Sequence, residues 1–145
     1  MSTLVSHPTG IGDYPALVVV DMCKAFLEPS SPLGFQCEDV ILANIKLVKK
    51  FRSNNYPVIF TTTVYSNETE ASVFRSKIPA LNILEPESDA VSFMRDLAPL
   101  EDEIIIEKKF ASAFFQTTLV ESLIKLKSLE ETHLEAPASP TFLNQ

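Results

Sequence analysis

Three short apolar runs, each ending in polar or charged residues, constrain this chain more than any other feature. Ala16-Leu17-Val18-Val19-Val20 runs unbroken into Asp21, Val58-Ile59-Phe60 into Thr61-Thr62-Thr63, and Ile104-Ile105-Ile106 into Glu107-Lys108-Lys109. An apolar run with no polar alternation is the pattern of a strand buried on both faces, as in a parallel sheet, and Ala16–Val20 is read that way. Between the first two runs, Ile41, Ile45, Val48 and Phe51 fall on one face of a helix predicted over Glu38 to Asn54. Glu38 and Asp39 open that helix and Lys49, Lys50 and Arg52 close it, which suits its dipole. Thr118 and Glu121 form a capping-box pair ahead of a further helix carried by Leu119, Leu123 and Leu126. Residues 27–37 and 66–90 read as irregular, with a short helix expected over 91–98. The order strand, helix, strand, irregular, strand, helix predicts an α/β fold with a parallel sheet and flanking helices.

With 145 residues, one domain is expected. The composition divides it into a polar lead (1–15), a folded part (16–127) and a tail (128–145). The tail has no Lys or Arg beyond Lys127 and carries Pro137 and Pro140, so it reads as a short helical extension at most, followed by disorder. The net charge of −7 argues against nucleic-acid binding, which needs a basic surface to displace counterions. No window approaches the roughly 20 apolar residues of a membrane span, and no signal peptide is visible, so no membrane partner is expected. Two cysteines, Cys23 and Cys37, cannot form a disulfide scaffold and fit a reducing cytoplasm. Glycine occurs three times and never after Gly34. The glycine-rich loops that cradle phosphates are therefore absent.

Chemistry is expected where strands end, because ligands of open parallel sheets sit at the carboxyl ends of their strands. Asp21 there is a candidate general base, and equally a loop or capping aspartate. Lys108 and Lys109 end the third strand in the same way, and one of them could meet Asp21; alone, they read as a solvated pair offsetting nearby acids. Cys23 near a lysine could be an activated thiol, against the plainer reading of a small buried one. Cys37 precedes a helix start but has no evident base. His7 and His133 lie in no metal-ligand spacing, so no metal site is expected. Ser112 lacks the glycines of a nucleophile elbow. A phosphotransferase DxDx[TV] motif fails at Cys23, and a receiver domain lacks its phosphoacceptor aspartate.

Together these segments resemble the isochorismatase-like cysteine hydrolases, especially the N-carbamoylsarcosine amidohydrolase branch. Ala16-Leu17-Val18-Val19-Val20-Asp21-Met22 followed by Phe26 is similar to the family's first strand and its D-x-x-x-x-F signature. Pro32-Leu33-Gly34, Pro57-Val58-Ile59-Phe60-Thr61 with Tyr65, and Phe74-Arg75-Ser76-Lys77-Ile78-Pro79 resemble the segments that follow. Lys108 with Ser112-Ala113-Phe114-Phe115 and Thr117 resembles the K-x-x-x-S-A-F-F-x-T element. The resemblance spans about residues 15 to 127 and implies a Rossmann-like sheet bearing an Asp-Lys-Cys triad. It makes Asp21 the general base and Lys108 its lysine partner, with Phe26, Tyr65, Phe74 and Phe114 lining a pocket for a small amide or ureide. No cofactor is implied.

The sequence departs from that pattern in one respect that matters. The family's nucleophilic cysteine follows a fourth strand, on the order of thirty residues after the lysine. That place falls near residues 138–142, and no cysteine occurs after Cys37. Ala25 also stands where a second acid is frequent, and the D-x-H metal motif of the nicotinamidase branch is absent. The expectation is a C-terminally truncated member with about three strands of the sheet, inactive by itself. Its first strand would be left as an exposed apolar edge. Through that edge it would form a homo-oligomer or bind a full-length relative.

Overall fold

A computed structural model describes Gly10 and residues 12–135 of the chain. Three parallel strands, β1 (Leu17–Val19), β2 (Val58–Thr63) and β3 (Ile104–Lys108), lie in the order β1-β2-β3. Leu17 pairs with Val58 and Val19 with Phe60; Ile59 pairs with Ile104 and Thr63 with Lys108. The first crossover carries the four-residue helix α1 (Lys24–Leu27) and the long helix α2 (Glu38–Ser53). The second carries α3 (Ser72–Lys77) and three 3-10 turns, and α4 (Leu119–Glu135) follows β3.

Alternation along β2 sends successive side chains to opposite faces. Val58 and Phe60 face α2 and join Val19, Val48 and Leu97, with Ile41, Ile45 and Phe51 packed against them. Ile59 faces α4 and joins Ile106, Ala113 and Leu119, with Val18, Leu123 and Leu126 alongside. Helices thus cover both faces of the sheet, the α/β arrangement that the alternating runs predict. Gly34 is needed where it stands, because a Cβ there would lie 1.7 Å from the carbonyl oxygen of Glu28.

Several local expectations need correcting. The strand buried on both faces is β2, not β1: Leu17 and Val18 are half-buried and Val20 is 41% exposed. Among the described residues β1 has a neighbour on one side only, so an apolar run marks burial only where the sheet continues past it. The helix expected over 91–98 is absent. Two 3-10 turns, Asp89–Val91 and Arg95–Leu97, flank an extended segment where Phe93 bridges to Cys23. The carbonyl of Ser92 accepts the backbone N–H of Lys24, a pairing that an uninterrupted helix would exclude. The region 66–90 is more ordered than expected, holding α3 and the 3-10 turn Pro79–Ile83. The helical extension of the tail reaches Glu135; its remainder, like His7 and most of the lead, lies outside the described residues. No helix among the described residues is long and apolar enough to cross a membrane.

Candidate active site

The carboxyl ends of the three strands converge on Asp21. Just past β1 the chain turns through a left-handed conformation at this residue (φ 57°), which aspartate tolerates better than most side chains. Its backbone N–H donates to Thr61 Oγ1 at 3.2 Å. Its Oδ1 lies 3.0 Å from Lys108 Nζ and accepts from Thr63 Oγ1 at 3.4 Å. Lys108 is 3% exposed and Asp21 30%, so the ammonium is inside and the carboxylate opens to solvent. Lys108 Nζ donates to the carbonyls of Phe110 (3.0 Å) and Ala111 (3.3 Å), which hold the ammonium beside the carboxylate.

The sheet register explains this meeting. Thr61 and Thr63 lie on the same face of β2 as Ile59, and Lys108 on the same face of β3 as Ile106. Thr63 and Lys108 are direct partners across the two strands. Among the described residues, the buried polar or charged side chains are Thr61, Thr63 and Lys108, and all three touch Asp21. Sequence reasoning passed over both threonines; the available signal was a run of hydroxyls ending a strand that is otherwise apolar.

Strand alternation also separates the two lysines. Lys109 turns away from Asp21 to Glu70 Oε2 (2.9 Å), Glu107 Oε1 (2.5 Å) and the carbonyl of Val64. Burial lowers the pKa of Lys109, but the two carboxylates outweigh it and hold the group above its ordinary value. Tyr65 donates its hydroxyl to the carbonyl of Lys109 at 2.9 Å, and the Arg75 guanidinium sits 4.6 Å from its ring centre. Burial pushes the Tyr65 hydroxyl up despite these nearby cations.

Phe26, Tyr65 and Phe74 come together in one apolar cluster with Cys23, Leu81 and Leu84, beside the Asp21–Lys108 pair. Phe114 is 58% exposed and outside that cluster. Cys23 is buried at the N-cap of α1. Burial is the main cause that raises its thiol pKa, and the charge of Asp21 adds to it. Both effects disfavour a thiolate, so the buried-thiol reading holds for Cys23. Cys37 is also buried, with its sulfur 3.9 Å from the carbonyl of Leu27. No group of three or more His, Cys, Asp or Glu among the described residues is placed to hold a metal ion. A cleft of about 360 Å³ lies at the opposite ends of β2 and β3, between Arg52, Asn55, Leu100 and Leu126, away from Asp21.

A model of the isochorismatase domain matches residues 15–130. An N-carbamoylsarcosine amidase from an Arthrobacter species is 32% identical over 117 residues, covering 76% of this chain and 44% of that protein. A maleamate amidohydrolase from Pseudomonas putida is 27% identical over 115 residues, covering 76% and 53%. The solved structure of a cysteine hydrolase from Pseudomonas syringae pv. phaseolicola superimposes with a TM-score of 0.72 at 28% identity, covering 86% of this chain and 60% of that one. The chain thus spans about half the length of the curated relatives it matches.

Proposed function

The chain belongs to the isochorismatase-domain family, and on that premise we propose that Asp21 and Lys108 are the acid–base half of an Asp-Lys-Cys site for hydrolysing a C–N bond in a small amide or ureide. The observation that carries this reading is the dedication of three buried polar side chains to Asp21, with Thr61 on its backbone N–H and Thr63 and Lys108 on its partly exposed carboxylate. A sheet of this kind gains nothing in stability from a buried ammonium, since an apolar side chain of the same size serves the core as well. Asp21 would take the proton of an attacking thiol, and Lys108 would favour the thiolate and the charge developing on the substrate oxygen. The thiol would add to the carbonyl carbon, the amine would leave, and water would release the acyl group. Phe26, Tyr65 and Phe74 would supply the apolar wall beside the pair. Both matched relatives are named for amide hydrolysis, which supports this substrate class.

Neither Cys23 nor Cys37 is the nucleophile in this reading, so the 145 residues bind substrate without turning it over. The test uses N-carbamoylsarcosine and maleamate as probes. Saturable binding that is lost in Asp21→Asn, with no ammonia released, is the expected result. Binding that survives Asp21→Asn would overturn the site, and ammonia release abolished by that substitution would overturn the missing nucleophile.

A second reading, a binding partner rather than an enzyme, is favoured by the outer edge of β1. Among the described residues this edge has no strand beside it, and Val20 at its end is 41% exposed. Unpaired apolar edges recruit further strands. Light scattering would give a mass of at least twice 16.1 kDa if two copies pair. A monomer at all concentrations that also ignores a full-length relative would overturn this reading.

A further inference from the structure

We propose that Thr63 is a positioning residue whose hydroxyl, with Lys108, fixes Oδ1 of Asp21 and leaves Oδ2 as the oxygen that accepts a proton. The inference rests on the reading of Asp21 as a general base and assigns which of its two oxygens does that work.

The division between the oxygens is visible in their partners. Oδ1 is held from two sides, by Lys108 Nζ at 3.0 Å and by Thr63 Oγ1 at 3.4 Å. Oδ2 accepts no hydrogen bond among the described residues, and the side chain retains 30% exposure. Lys108 Nζ donates hydrogen bonds to the carbonyls of Phe110 and Ala111, which fix the ammonium on the Oδ1 side of the carboxylate. Its two carbonyl bonds anchor the ammonium, and the ammonium in turn anchors Oδ1. One point of attachment still lets the side chain leave its staggered well about the Cα–Cβ bond and carry Oδ1 away from Lys108. A second donor on the same oxygen removes that freedom.

Thr63 is suited to be that donor. It is 3% exposed and stands directly opposite Lys108 in the parallel register. A buried hydroxyl is unfavourable unless it is used, and valine would fit this strand position equally well for packing. Thr61 does complementary work one step back, accepting the backbone N–H of Asp21 and holding its left-handed turn. The contact of 3.4 Å is long for a hydroxyl hydrogen bond. Such contacts commonly tighten once substrate is bound.

The test reads the rotamer of Asp21 rather than turnover. Three-bond couplings about the Asp21 Cα–Cβ bond are measured in the labelled chain and in Thr63→Val and Thr63→Ser. The unmodified chain gives couplings of a single staggered well. Thr63→Val, which keeps shape and packing, gives averaged couplings, and Thr63→Ser restores the single well. Unchanged couplings in Thr63→Val would overturn the proposal, and so would averaging that Thr63→Ser fails to repair. Should Thr63→Val not fold, the unmodified chain still decides, because a Thr63 hydroxyl averaged over two wells would overturn it. A failure of the general-base reading appears separately, as binding that ignores Asp21→Asn while these couplings stay as expected.

Discussion

Removing the charge of Asp21 should destabilise the protein more than removing the lysine it pairs with. In Asp21→Asn the backbone turn is preserved, since asparagine also tolerates the left-handed region. Lys108, however, stays 3% exposed with no counter-charge. Breaking a fully buried pair in this way costs roughly 3–5 kcal/mol. Here the two carbonyls remain, Asn keeps an acceptor oxygen, and Asp21 is 30% exposed. About 2 kcal/mol is therefore the working figure. For a domain of this size that lowers Tm by about 8 °C. In Lys108→Met the charge leaves the interior, a side chain of similar length fills its place, and the carboxylate turns to water. That change should stay within about 1 kcal/mol of the parent. Adding Lys108→Met to Asp21→Asn should then recover about 1 kcal/mol rather than lose more. Urea unfolding followed by circular dichroism at pH 7 gives all three values. Equal or greater loss in Lys108→Met, with additive losses in the double variant, would instead make the pair a support of the fold.

Three further perturbations bear on the rest of the molecule. Asn55 has φ 57° and a buried Nδ2 without a hydrogen-bond partner among the described residues, so Asn55→Gly should raise stability by about 1 kcal/mol, read as a higher Tm; a loss would contradict it. Burial pushes the Glu103 carboxyl up, but the two-pronged contact with Arg52 (2.7 and 2.8 Å) outweighs this and holds it below its ordinary value. A lowered folded-state value means stabilisation that is present above the ordinary glutamate range and lost as pH falls through Glu103's own value. Glu103→Gln should thus be less stable than the parent by about 1 kcal/mol at neutral pH, allowing for partial exposure, with the difference vanishing in acid. The native Cys23 thiol, buried and with its pKa raised, should resist iodoacetamide at neutral pH and react only after unfolding, as intact mass would report.

The sequence carried the parts of this fold that rest on local periodicity. The predicted Val58–Thr63 strand is β2 itself, and the predicted Glu38–Asn54 helix differs from α2 by one residue. The meeting of strand-end residues was legible only as an option, since one of the two lysines could meet Asp21 at the same sheet edge while the pair alone reads as solvated. Choosing between Lys108 and Lys109 from the residues alone needed the register, which places Lys108 opposite Thr63. The roles of Thr61 and Thr63 stayed hidden for a related reason. A threonine in a strand reads as ordinary β-branched packing until its neighbour across the sheet is known. Burial of β1 was misread because an apolar run reports the preference of the side chains and not whether the sheet extends past them. The helix expected over 91–98 gives way because the long-range pairing of Phe93 with Cys23 overrides local helix preference.

In the proposed function the buried polar groups of this sheet serve a substrate site at Asp21. Mapping maleamate binding by backbone amide shifts in the labelled chain tests it most directly. Saturable shifts confined to Asp21, Thr63, Tyr65, Phe74 and the segment after Lys108 are the expected result. Shifts absent there, or confined to the cleft between Asn55 and Leu126 at the other end of the strands, would contradict it.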